Sequence, residues 1–180
     1  MEKFKSLDFK SLEKRITTTT STKEALRDVT PFAFKSDTPK IIVKRTRKMC
    51  KKSDIILVDH YISQNQYIGK HPFVVIDDEG GEIQGVSFDL ICNAMSSFKS
   101  EEQKAKKLSY PGNFSIIAEE QNVPGGNSLD GYIKADQLYY FNKNKISYRV
   151  IGSIDQDTFN ELIAFIQNGN FTIETITDNL

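Results

Sequence analysis

Two histidines, a lysine and aspartate two residues apart, and adjacent serines are the side chains of this 180-residue chain best suited to moving protons and contacting anions. His71 stands directly before Pro72. An imidazole is charged or neutral near pH 7 and can donate or accept a proton there. A lone histidine before proline at the start of a strand also serves structure. In the run GYIKADQ, strand alternation puts Lys134 and Asp136 on one face and Gln137 on the other. Such a pair acts either as an acid and base or as a plain surface ion pair, which contributes little to stability. Ser96 and Ser97 end another apolar run. Ser97 also reads as the N-cap of a helix over residues 97–108, leading into Glu101 and Glu102. A helix N-terminus of that kind offers backbone N–H groups to phosphate. With only two cysteines, Cys50 and Cys92, beside the two histidines, neither a structural zinc site nor another cofactor is expected.

Short β-rich runs must carry these side chains. Residues 54–61, 72–77, 83–92, 113–119, 131–141 and 147–151 are rich in β-branched and aromatic residues and bounded by turn formers. Six short strands at this spacing predict a barrel or sandwich. Gly80-Gly81 reads as a hairpin turn and residues 123–130 as a mobile loop. Residues 63–69 and 99–108 are the natural places for substrate selectivity. Near the end, Phe159, Leu162, Ile163 and Ile166 recur at helical spacing behind a cap at Asp155 or Asp157, and Gly169 stops the helix. Its single apolar stripe predicts packing on the sheet. Residues 169–180 form a tail, either one more strand or a partly ordered end.

A zero net charge hides an asymmetry. Residues 1–52 carry 15 Lys/Arg against 6 Asp/Glu, a net +9, and the remainder carries the balancing −9. Seven of those basic residues fall within residues 40–52. A basic segment suits a polyanion or an acidic protein surface, including this chain's own C-terminal part. Apolar spacing over residues 7–29, on either side of the Thr/Ser run 17–22, predicts two short helices, followed by a linker between Pro31 and Pro39. No apolar run is long enough for a transmembrane helix, and the charged N-terminus shows no secretory signal. A cytoplasmic protein with two free thiols is expected.

Taken in order, SDIILVDHY, KHPFVVID, LICNAMSS, YPGNFSI and DGYIKADQLYYF, closed by the helix DQDTFNELIAFI, resemble the MazF/PemK/Kid family of ribonuclease toxins. The resemblance covers about two thirds of the chain and omits residues 1–52. It implies a mainly β (α+β) fold, an SH3-like or CcdB-like small barrel with a C-terminal helix over residues 53–168, here preceded by a basic helical extension. It implies metal-independent cleavage of single-stranded RNA, a homodimer with RNA in a groove at the interface, and a cognate acidic antitoxin that occupies the groove.

Metal-free RNA cleavage needs a base for the ribose 2′-OH, an acid for the leaving 5′-oxygen, and cationic or hydrogen-bonding groups around the phosphorane. Where the family has an arginine for the scissile phosphate, this sequence has His71. Ser96 or Ser97 matches the family's Thr or Thr-Ser, and Lys134, Asp136 and Gln137 match the basic residue and Asp-Gln of the Kid branch. Lys70 and Lys99 are expected to contact phosphates and Tyr110 to stack a base, alongside ordinary surface or core roles for each. The alternative is a catalytically impaired barrel that binds RNA or protein.

Overall fold

The computed structural model describes residues 16–18, 49–125 and 128–180, the first three by backbone alone. Fourteen strands and two α-helices are found among them, in the order β1 (Ile16–Thr18), β2 (Asp54–Val58), β3 (Tyr61–Ser63), β4 (Gln66–Ile68), β5 (His71–Asp77), β6 (Gly81–Ile83) and β7 (Val86–Phe88). β8 (Leu90–Ser97), α1 (Glu101–Leu108), β9 (Asn113–Ile116), β10 (Gln121–Asn122), β11 (Gly131–Lys134), β12 (Gln137–Phe141), β13 (Tyr148–Ile154), α2 (Gln156–Asn168) and β14 (Ile173–Ile176) complete the order. Ten strands form one nearly closed barrel sheet, in the order β1-β14-β12-β8-β5-β2-β13-β10, with β11 and β9 branching from β8. The pairs are antiparallel except β14 with β12 and β1 with β14. This is the mainly β barrel with a C-terminal helix that the sequence predicts.

β8 is the hub, bonded to β5, β12 and β11. Every residue from Leu90 to Met95 is buried because both faces of β8 are covered. One face, with Ile91 and Met95, packs against Leu162 and Ile166 of α2. The other, with Leu90, Cys92 and Ala94, meets an aromatic cluster of Tyr61, Phe73, Tyr139 and Phe141. Fully burying side chains of this size is worth about 1.5–3 kcal/mol each. Cys50 and Cys92 are both free and both in this second cluster.

Several boundaries differ from the sequence reading. The single run over 83–92 is interrupted: β6 and β7 form a hairpin of their own, turning at Gln84-Gly85 rather than Gly80-Gly81. Gln84 and Gly85 both have positive φ (51° and 76°), the type I′ geometry that follows strand twist. Residues 63–69 belong to a hairpin of β3 and β4, with Gln64 and Asn65 in the same left-handed region. The run 131–141 bends between β11 and β12. The tail supplies β14. Of the predicted N-terminal helices, Ile16 lies instead in β1, where a β-branched Ile-Thr-Thr stretch finds the open edge of β14; the rest lies outside the described residues.

Asp155 caps α2, accepting from the Thr158 N–H and hydroxyl, both at 2.9 Å. The Thr158 amide is the main reason its carboxyl sits below the usual aspartate range. Asp155→Ala is expected to lower stability by about 1 kcal/mol in urea unfolding. That contribution is present above the ordinary aspartate pKa and is lost as pH falls through the lowered one, so wild type and variant converge in acid.

Candidate active site

The bonded ladder between β5 and β8 ends at the pair Phe73 and Ala94. Two residues further along each strand, on the same face by alternation, stand His71 and Ser96. Ser96 pairs on its other side with Tyr132 of β11, and Lys134 lies two residues beyond Tyr132 on that face. An imidazole, a hydroxyl and an ammonium thus stand on one face of three neighbouring strands, with the Lys134 charge near His71.

Their surroundings tune them. The His71 ring lies 5.8 Å from Tyr61 and 5.6 Å from Phe73, centre to centre. Burial, and then the nearby Lys134 charge, hold its pKa below the ordinary histidine value. Both influences favour the neutral imidazole. Asp136 is displaced the other way: burial, the largest influence, raises its carboxyl above the usual range and Glu174 adds to this, while its own backbone N–H and Lys134 oppose.

The expected strand alternation does not join Lys134 to Asp136, because the chain turns at Ala135. Ala135 N–H (2.8 Å) and Asp136 N–H (3.3 Å) both donate to the Gly112 carbonyl. A Cβ at Gly112 would stand 2.4 Å from the Asp136 Cβ, so the close approach requires glycine. From the opposite side, fully buried Asn93 donates through Nδ2 to the Lys134 carbonyl at 3.0 Å and the Gln137 carbonyl at 2.6 Å. Two acceptors on one nitrogen fix which end of the carboxamide is the amide.

The other predicted residues are dispersed. Gln137 is engaged, donating to Glu174 at 2.9 Å and accepting from the Tyr139 hydroxyl at 3.4 Å; that hydroxyl also meets Ser63 at 3.3 Å. Ser97 is exposed, alternates to the opposite face from Ser96, and lines a cavity of about 180 Å³ that Ser96, Pro72, Met95 and Gln121 also line. It is not the helix cap. Ser100 is, accepting from the Gln103 N–H, because Ser97 is held in the sheet opposite Gly131. Lys70 is exposed, its charge near Asp59. Lys99 is exposed just before α1.

Tyr110 is half exposed, with the Lys107 ammonium 6.0 Å from its ring and 5.7 Å from that of Tyr132. Tyr132 in turn stacks on Phe98 at 5.5 Å, and Lys104 stands 5.8 Å from the Phe98 ring. Sequence reasoning missed Tyr132 and Lys107. Alternation from Lys134 identifies the first; the spacing of Lys104 and Lys107, three apart on α1, points to the second.

Among the described residues no three His, Cys, Asp or Glu side chains converge as a metal site requires, and no helix is long and apolar enough to cross a membrane. No curated protein matches the chain. A family model does: residues 51–168 match the PemK-like, MazF-like toxin of type II toxin-antitoxin systems. That span runs from the edge of β2 through α2 and contains His71, Ser96, Lys134 and Asp136. The chain belongs to the PemK-like, MazF-like toxin family of type II toxin–antitoxin systems.

Proposed function

We propose that this protein is a cytoplasmic endoribonuclease toxin that cuts single-stranded RNA at short sequences without a metal ion. The placement of His71, Ser96 and Lys134 on one face of three adjacent strands, in a chain of a family of endoribonucleases, is the observation that supports this reading. Neutral His71 takes the proton of the ribose 2′-OH, whose oxygen attacks the adjacent phosphorus. Lys134 stabilises the charge of the phosphorane and Ser96 donates a hydrogen bond to a phosphate oxygen. Asp136, with its proton affinity raised, protonates the departing 5′-oxygen. The products are a 2′,3′-cyclic phosphate and a 5′-hydroxyl end. Membership of a type II system implies a protein antitoxin, which an acidic segment would suit; the functional unit is a homodimer with RNA along the interface groove.

Incubating the purified protein with a long RNA in EDTA and mapping the ends tests this. Discrete 5′-hydroxyl ends support it, and cleavage only on adding magnesium overturns it. A second reading, a barrel that binds RNA without cutting it, is favoured by the histidine where the family has arginine, and predicts retention of RNA with no new ends. In either case Lys107→Ala is expected to weaken RNA binding and reduce the slope of log affinity against log salt by about one, as for a lost phosphate contact. Filter binding across a salt series measures this.

A further inference from the structure

The hairpin β3–β4 forms a two-stranded sheet separate from the barrel sheet. Three attachments seat it. The Tyr61 ring is buried against His71, Phe73 (5.0 Å) and Tyr139 (5.6 Å). The Ser63 and Tyr139 hydroxyls share a hydrogen bond. The third comes from a residue 117 positions away: the Asn179 carboxamide accepts from the Ile62 N–H at 2.7 Å and donates to the Ile62 carbonyl at 3.0 Å. One side chain thus pairs with a strand residue as a neighbouring strand would, and Asn179 is itself only 8% exposed. Ile62 is flanked by the two side chains, of Tyr61 and Ser63, that the hairpin turns toward the aromatic cluster.

We propose that Asn179 is a positioning residue for the proposed cleavage site: by gripping Ile62 it holds the β3–β4 hairpin down, so that Tyr61 covers His71 and keeps water from its ring. The inference rests on the endoribonuclease reading for its effect on catalysis, but its structural half stands apart. The charged and titratable groups around His71 are Lys134 on β11 and Tyr61 on β3. Behind them lies Tyr139 on β12, with Asp136, Glu174 and Asp178 in its field. Asn179→Ala adds and removes no charge among these groups, so a shift in His71 behaviour in that variant reports its covering.

The test titrates the His71 imidazole by NMR in the full chain and measures cleavage against pH, in wild type, Asn179→Ala and Asn179→Asp. Asn179→Ala, which loses both bonds, is expected to raise hairpin amide exchange about tenfold. It is also expected to move the His71 midpoint up toward the ordinary histidine value and to carry the acid limb of the rate profile with it. Asn179→Asp keeps the acceptor for the Ile62 N–H but brings a new carboxylate, so it is compared by hairpin amide exchange, where it is expected to fall between. A His71 midpoint identical in wild type and Asn179→Ala overturns the proposal, as does hairpin exchange raised equally in the two variants. If the wild type cuts no RNA, the endoribonuclease reading fails, while the titration still decides whether Asn179 governs the covering of His71.

Discussion

Replacing His71 with alanine is expected to lower the rate of RNA cleavage by about 10²–10⁴-fold, the range for loss of a positioned base, while RNA affinity changes little. In the wild type the rate is expected to fall on acidification, because a base must be neutral to accept the 2′-OH proton. Burial and Lys134 both disfavour the charged imidazole, so the midpoint of that fall lies below the ordinary histidine pKa of about 6.5. Single-turnover cleavage of a labelled RNA in EDTA, followed from acid to neutral pH, measures both effects. The limb disappears in His71→Ala, leaving a low rate independent of pH in that range. A rate that rises toward acid would make His71⁺ the active form and transfer the base role to another group.

The second large effect is structural. Asn93→Ala strips the donor shared by the Lys134 and Gln137 carbonyls and opens a void at a position with no solvent access. Loss of these buried hydrogen bonds and the cavity together are expected to cost about 2–5 kcal/mol, read as a lower midpoint in urea unfolding. That is a large fraction of the stability of an ordinary domain. Because the same amide holds the bend that carries Lys134 and Asp136, the folded fraction of the variant is expected to cleave more slowly as well. A variant as stable as wild type would show that Gly112 alone sustains the bend.

The elements that declare themselves in the sequence are those whose cause is local. The α2 helix is legible from its cap, stripe and terminal glycine, and the apolar runs become strands because β-branched residues favour pleated, covered surfaces. What was hidden depends on distant partners. GYIKADQLYYF has strand character throughout, and nothing within it marks the turn at Ala135; that turn is made by a carbonyl at Gly112 and a carboxamide at Asn93. Ser97 and Ser100 both stand shortly before the helical run 101–108, and Ser100 is the cap while Gly131 engages Ser97 in the sheet. In the candidate site, motif and strand position single out His71, Ser96 and Lys134, but their common face follows only from the register of β5, β8 and β11. Tyr132 was not, since its relevance comes from pairing with Ser96 across two strands.

The parallel pairing of β1 with β14 and the grip of Asn179 on Ile62 impose an order of events on biosynthesis. Ile16 and its partner Ile173 are far apart in synthesis order, as are Ile62 and Asn179. A nascent chain that has just completed β12 already owns His71, Ser96 and Lys134, yet lacks the edge for its first strand and the clamp for its hairpin. Both arrive with residues 173–179. The seat of Tyr61 on His71 is therefore completed only by the stretch that follows α2.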